Sequence, residues 1–127
     1  MCASSANITP AIRAAMKLWY GALLKASAGA LQDLAAQPKH LGAELGVTAM
    51  FQTWTRDLRY HPHLHLLVPG GGLTVDQLRW VRVKDPQFFL PEVKLAARFK
   101  GRLKTWLQAD EPALFHAVPA KVWWIKW

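Results

Sequence analysis

The run over residues 60–68 restricts the fold more than any other segment, because histidine and leucine alternate along it. His61, His63 and His65 occupy every second position, separated by one proline and one leucine and followed by two leucines. Side chains two residues apart lie on the same face of an extended strand, so the pattern predicts a β-strand with a histidine face and an apolar face. The backbone breakers over 69–72, one proline and three glycines, predict a turn after it.

The remaining segments predict an α+β fold. Apolar residues recur at three- and four-residue steps in two segments, each typical of an amphipathic helix, and Pro38 ends the first one. Runs rich in β-branched and aromatic residues predict strands, and the polar residues 55–59 are short enough to join two of them as an antiparallel hairpin. The predicted helices cover 11–37 and 91–110, and the predicted strands cover 47–55, 64–68, 80–83 and 121–127. This order predicts an antiparallel sheet with flanking helices.

The composition bounds the class of protein. A chain of 127 residues, of which 52% are apolar and 19% are charged, has the size and balance of one globular domain. No apolar run reaches the roughly 18 residues of a membrane span. A lone cysteine, Cys2, excludes an internal disulfide, so we expect a soluble protein in the reducing cytoplasm. The excess of 16 Lys and Arg over 8 Asp and Glu, a net charge of +8, favours nucleic acid as the partner.

The histidine face is a candidate metal site. A hairpin centred on residues 57–58 gives three cross-strand pairs: Gln52 with His63, Met50 with His65, and Trp54 with His61. Three imidazoles would favour zinc, whereas His63, His65 and Gln52 leave positions for phosphate oxygens and suit Mg²⁺ or Mn²⁺, which we expect here. His61 is then a supporting group beside the metal or an exposed one. The alternative is a set of surface or hydrogen-bonded core histidines, and a one-residue change of register would turn Gln52 away from them.

Basic side chains are the candidate contacts to nucleic-acid phosphates. Five of them lie on the second predicted helix with no acidic residue among them, and the others lie near the hairpin and the third strand. The candidates are Arg56, Arg59, Arg82, Lys94, Arg98, Lys100, Arg102 and Lys104. For any one of them, the alternative is a solvated surface position.

Several separated motifs resemble one known family. They are Phe51-Gln52-Thr53-Trp54, Tyr60-His61-Pro62-His63-Leu64-His65, Pro69-Gly70-Gly71-Gly72, Pro38-Lys39-His40-Leu41-Gly42-Ala43-Glu44-Leu45-Gly46, Phe88-Phe89-Leu90-Pro91 and Val122-Trp123-Trp124-Ile125. In this order they resemble the rolling-circle transposases of the insertion-sequence-91 family. The resemblance extends over nearly the whole chain from about Leu18 onward.

The resemblance implies a nuclease domain of the HUH type, with an antiparallel sheet of the ferredoxin-like kind. His63 and His65 match the family's His-hydrophobic-His motif, which holds a divalent metal beside the scissile phosphate. Gln52 stands where many relatives have histidine. The family's nucleophiles are tyrosines on a helix beyond the last strand, so residues 1–127 would be a single partial catalytic domain that lacks this helix and the family's cysteine-rich segment. Tyr20 and Tyr60 are predicted to be structural, and no catalytic residue is assigned.

The predicted function is therefore that of a transposase fragment. We expect it to bind single-stranded DNA and to belong to a metal-dependent machinery that nicks and rejoins one strand in DNA transposition, while being inactive alone. A non-catalytic nucleic-acid-binding module and a small zinc hydrolase with three histidine ligands are the other functions left open. The apolar strand predicted over 121–127 would leave an open edge, which predicts self-association.

Overall fold

The computed structural model describes residues 9–125 and confirms the predicted α+β class. The helices are α1 (Thr9–Ala14), α2 (Met16–Ala35), α3 (Glu92–Asp110), α4 (Pro112–Ala117) and α5 (Ala120–Trp124), and the strands are β1 (Thr48–Trp54), β2 (Tyr60–Leu67), β3 (Gly71–Leu73) and β4 (Trp80–Arg82). Within residues 9–125, no helix is both long and apolar enough to cross a membrane.

The two long helices form the larger core. The predicted helix over 11–37 is divided at Ala15, where the backbone leaves the helical region (φ −142°, ψ 54°). Alanines of α2 at positions 22, 26 and 30 are buried, and their small side chains let α3 pack closely through Phe99, Leu103 and Leu107. Burial of one such leucine stabilises the fold by about 1.5–3 kcal/mol.

A smaller core holds the strands against the end of α2. Leu31 and Ala35 of α2 pack with Leu41, Ala43 and Leu45 from the loop that follows, and side chains of β2 and β4 cover this cluster. The Gln32 amide fastens the same loop, because its Nε2 donates to the Leu45 carbonyl at 2.6 Å and its Oε1 accepts from the Leu45 N–H at 3.0 Å. The loop thereby fixes where β1 begins.

The strands pair in two separate antiparallel sheets, β1 with β2 and β3 with β4. The predicted hairpin at 55–59 is confirmed, although β2 begins at Tyr60, earlier than the predicted 64. The strand predicted over 80–83 is confirmed as β4, and its partner is β3. A single bridge between Glu44 and Leu73 ties β3 to the loop after α2.

The glycine cluster after β2 is a strand rather than only the predicted turn. Gly71 and Gly72 are buried in β3, and Gly72 lies so close to the Glu44 carbonyl that a Cβ at this position would overlap it. The glycines are needed because the backbones of β4 and of the Glu44 segment approach this strand on two sides. The breaker pattern therefore marked a close backbone approach within a short strand.

The strand predicted over 121–127 is wrong for the described part of that segment. Residues 120–124 form the short helix α5, which begins after Pro119, and residues 126–127 lie outside the described residues. Val122 and Trp123 are buried in the larger core while Trp124 is 82% exposed. The predicted self-association depends on a C-terminal strand, and residues 9–125 contain no strand after β4.

Candidate metal site

The β1–β2 hairpin sets the register of the candidate site. Gln52 lies opposite His63, and Met50 lies opposite His65, as predicted. The predicted pairing of Trp54 with His61 is wrong, because the register shifts between Gln52 and Trp54 and places Trp54 opposite Tyr60. The irregularity lies beyond Gln52 on the turn side, so it leaves the central pairs unchanged.

Three side-chain atoms converge on this face of the hairpin. The Oε1 atom of Gln52 lies 2.9 Å from Nε2 of His63 and 3.1 Å from Nε2 of His65. The centroids of the two imidazole rings are 5.0 Å apart. Gln52 and His63 are half-buried and His65 is exposed, so a ligand from solution can reach the three atoms.

A backbone carbonyl orients the His63 ring. Its Nδ1 lies 2.8 Å from the His61 carbonyl oxygen, and because a carbonyl only accepts, Nδ1–H must be the donor. In the neutral ring this places the lone pair on Nε2, the atom that faces Gln52. A metal-bound histidine is commonly held in this way, with its second nitrogen donating to a carbonyl.

The contact between His63 and Gln52 therefore joins two acceptor atoms when the imidazole is neutral. Rotation of the Gln52 amide, which brings its NH₂ group to the imidazole, satisfies it. A cation shared by His63, His65 and Gln52 satisfies it as well. Two imidazole nitrogens and one amide oxygen are a donor set that fits a divalent ion with open positions.

His61 does not complete a third imidazole ligand in this arrangement. Its ring centroid lies 5.5 Å from that of His63, and the contacts of Gln52 reach the other two histidines. Within residues 9–125, no group of three His, Cys, Asp or Glu side chains is placed to hold one ion. The set that the structure brings together is two histidines and one glutamine.

Both tyrosines lie on the opposite face of the hairpin. Tyr20 of α2 contacts Phe51, whose ring centroid is 4.2 Å away, and its hydroxyl lies 2.9 Å from that of Tyr60. Arg13 lies over the Tyr60 ring, 4.9 Å from the centroid. Burial and the Tyr20 hydrogen bond raise the pKa of Tyr60 to about 12. A phenol held protonated and facing away from Gln52 fastens the hairpin to α2.

The eight predicted phosphate contacts do not form one free basic surface. Asp33 of α2 accepts from Arg102 at 2.6 and 2.7 Å and lies 3.7 Å from Arg98. The hydrogen bonds from Arg102 hold the pKa of Asp33 below its ordinary value. These two arginines are therefore partly neutralised by a residue that is distant in the sequence.

Other members of the predicted set are also held by contacts. Arg59 pairs with Asp57 in the exposed hairpin turn, at 2.5 Å. Lys100 donates to the Ile125 carbonyl at 2.7 Å, and Lys104 lies 5.5 Å from the Trp124 ring centroid. The other three, Arg56 in the turn, Arg82 in β4 and Lys94 in the first turns of α3, are exposed, and within residues 9–125 their side chains make no hydrogen bond or ion pair.

Comparison with known proteins places the chain in a family. Residues 46–124, which include the hairpin and all of α3, match the Y2_Tnp family model, described as "Putative transposase". The chain belongs to this transposase family. It is also 49% identical over 86 residues to the "Putative transposase y4qJ" of Sinorhizobium fredii (strain NBRC 101917 / NGR234).

That match covers 68% of this chain and 21% of the relative. The chain thus spans about a fifth of the length of the curated transposase that it matches. No solved structure matches the chain. The hairpin with Gln52, His63 and His65 lies entirely within the stretch that defines this chain as a transposase-family member.

Proposed function

We propose that this transposase-family chain carries the metal-binding half of a nuclease site, of the rolling-circle type with a histidine-hydrophobic-histidine motif. His63, His65 and Gln52 would hold Mg²⁺ or Mn²⁺ beside a phosphodiester of single-stranded DNA. The observation that supports this most directly is the convergence of two imidazole Nε2 atoms on one amide oxygen, at 2.9 and 3.1 Å. Membership of the transposase family supports DNA as the substrate class.

The chain's own residues supply binding and orientation. The His61 carbonyl fixes the His63 ring, and the β1–β2 pairing fixes Gln52 opposite it. With a divalent ion bound, the site would stabilise the charge that develops on the phosphoryl oxygens during in-line attack. The exposed His65 leaves the outer side of the site open to a DNA strand.

We further propose that the attacking group comes from outside residues 9–125. In the reaction that the family resemblance implies, a tyrosine oxygen bonds to phosphorus, the bond to the 3′ oxygen breaks, and that oxygen takes up a proton as the 3′ hydroxyl. The chain has two tyrosines, and they meet on the far side of the hairpin, where Tyr20 of α2 contacts Tyr60 of β2. A pKa of about 12 also makes Tyr60 a poor nucleophile.

Metal binding tests the proposal. Isothermal titration with Mn²⁺ should show one site per chain, and His63→Ala with His65→Ala should abolish it. His116→Ala is the matched control, because His116 is an exposed histidine on α4. Equal Mn²⁺ binding by the double variant and the unmodified chain would overturn the site.

A second experiment tests the absence of a nucleophile. The chain is incubated with single-stranded DNA and Mn²⁺ and then run on denaturing electrophoresis. We expect no protein–DNA adduct that survives denaturation. An adduct that disappears in a Tyr60→Phe or Tyr20→Phe variant would show that one of these residues attacks after all.

A further inference from the structure

A groove of about 990 Å³ lies between α2 and α3, and no residue of β1 or β2 lines it. Its lining includes small residues, among them the buried Ala22 and Ala26 and the exposed Ala97 and Gly101. On α3 it extends from Lys94 to Asp110. At a rise of about 1.5 Å per residue, this is a length of about 24 Å.

The rim of the groove is strongly basic. Its lining residues include five cations and one carboxylate, Asp110; the cations are Lys25, Lys39, Lys94, Arg98 and Arg102. Asp33 already pairs with the two arginines. The three lysines are exposed, and none has a salt bridge with a carboxylate in the described part of the chain.

The loop next to the groove, which contains His40, lies among the same positive charges. Nε2 of His40 is buried and has no hydrogen-bond partner within residues 9–125. Its pKa is lowered first by burial and then by the charges of Lys39, Lys94 and Lys84. Lys84 is held at this end of the groove, where its ammonium donates to the Pro38 carbonyl at 3.2 Å.

We propose that this groove binds the sugar–phosphate backbone of a single DNA strand, with Lys25, Lys39 and Lys94 contacting phosphates. The inference rests on the proposed function only in taking DNA as the polyanion. A length of about 24 Å accommodates about seven nucleotides at the 3.4 Å spacing of stacked bases. Lys25 and Lys39 are additions to the residues that the sequence pattern indicated.

The small apolar residues of the lining favour an unpaired strand over a duplex. An unpaired strand exposes its sugars and base faces, which the small side chains can approach, whereas a duplex presents mainly phosphates on its outside. Trp106, which also lines the groove, provides an aromatic surface of the kind on which unpaired bases stack. The groove thus combines the two features of sequence-tolerant single-strand binding, a basic rim and an aromatic contact.

Fluorescence anisotropy with a labelled single-stranded oligonucleotide in EDTA tests the groove. The variant Lys25→Gln with Lys94→Gln should bind more weakly at low salt. The slope of log affinity against log salt should become less negative by about 1.4, at about 0.7 per phosphate contact. The control is Lys17→Gln with Lys121→Gln, which removes the same charge from exposed helical lysines outside the groove.

Each outcome bears on the inference. Equal loss in the control pair would mean that only net charge matters, and it would overturn the groove as the binding site. Duplex DNA bound as tightly as the single strand would overturn the strand assignment. No binding by the unmodified chain would also overturn the inference.

The two proposals fail separately, because this assay contains no metal. A chain that binds Mn²⁺ through His63 and His65 but whose DNA affinity ignores Lys25 and Lys94 keeps the metal site and loses the groove. A chain that binds DNA through the lysines but takes up no Mn²⁺ keeps the groove and loses the nuclease site.

Discussion

Asp33 links the stability of the helix pair to the charge of the groove. Its carboxylate on α2 accepts two hydrogen bonds from Arg102 and lies near Arg98, both on α3. The Arg102 guanidinium reaches it across Gly29, where an added Cβ would lie 2.6 Å from a guanidinium nitrogen. Replacing Asp33 by Asn therefore weakens the α2–α3 contact and releases two cations into the groove.

The exposure of the three side chains sets the size of the stability change in Asp33→Asn. The Asp33 side chain is 29% exposed and the two arginine side chains are 50% and 44% exposed, so solvent screens the pair. An exposed ion pair contributes up to about 1 kcal/mol, and the two-point contact with Arg102 places this one at the upper end of that range. We expect Asp33→Asn to lower the free energy of unfolding by about 1 kcal/mol, measured by urea denaturation at neutral pH.

The contribution of Asp33 to stability depends on pH. The folded-state pKa of Asp33 lies below its ordinary value because Arg102 stabilises the charged carboxylate. The stabilisation is present above about pH 4 and is lost as the pH falls through the folded-state pKa. The unfolding free energies of the unmodified chain and Asp33→Asn should therefore converge in acid.

The same substitution should strengthen binding to single-stranded DNA. If Arg98 and Arg102 each gain a phosphate contact, the slope of log affinity against log salt becomes more negative by up to about 1.4. The control is Glu44→Gln, which removes one negative charge from an exposed side chain outside the groove. Weaker DNA binding by Asp33→Asn in a folded chain, or an identical gain in Glu44→Gln, would show that Asp33 does not restrain Arg98 and Arg102.

Three other predictions concern the hairpin and the second sheet. Gly72→Ala should lower the free energy of unfolding, measured by urea denaturation, by about 1–3 kcal/mol, because the added Cβ would overlap the Glu44 carbonyl. The control is Gly46→Ala, which has open space around it and should change this free energy by less than about 0.5 kcal/mol. Tyr60→Phe should lower the free energy of unfolding by about 1 kcal/mol below pH 10. It should also remove the loss of stability that the unmodified chain shows as the pH rises from 10 to about 12. If the variant loses stability over this pH range as the unmodified chain does, the pKa does not belong to Tyr60. Gln52→Glu should raise Mn²⁺ affinity at least roughly tenfold in isothermal titration, because a carboxylate adds a charge to the ligand set, and unchanged affinity would place the ion elsewhere.

Local patterns account for much of the hairpin and of the helices. Alternation over 60–68 and a short polar connection were enough to place Gln52 opposite His63, since antiparallel pairing follows from where the turn lies. The register shift between Gln52 and Trp54 could not be predicted, because nothing in the residue types marks the irregularity. The helix over α3 followed from apolar spacing and from the proline that precedes it.

The last described helix shows where such patterns fail. An aromatic and β-branched segment fits a strand by composition, yet Val122 and Trp123 are buried in the core of α2 and α3 while Trp124 faces solvent. Burial against helices decided its conformation. The turn prediction for the glycines of β3 was incomplete for a related reason. Glycine is needed there because of the Glu44 backbone, which lies more than twenty residues earlier in the chain.

The order of the residues alone thus determined the α+β class, the histidine face and the cross-strand partner of His63, because these depend on neighbours within a few residues or across one tight turn. Which basic residues are available to a ligand depends instead on the packing of segments that are distant in the sequence. Asp33 is separated by 69 residues from Arg102 and pairs with it only because α2 and α3 pack together. That packing also brings Lys25 and Lys39 of one segment to the same groove as Lys94 of another. Charges separated along the chain act on each other through space, and their distances are set by the packing of the core.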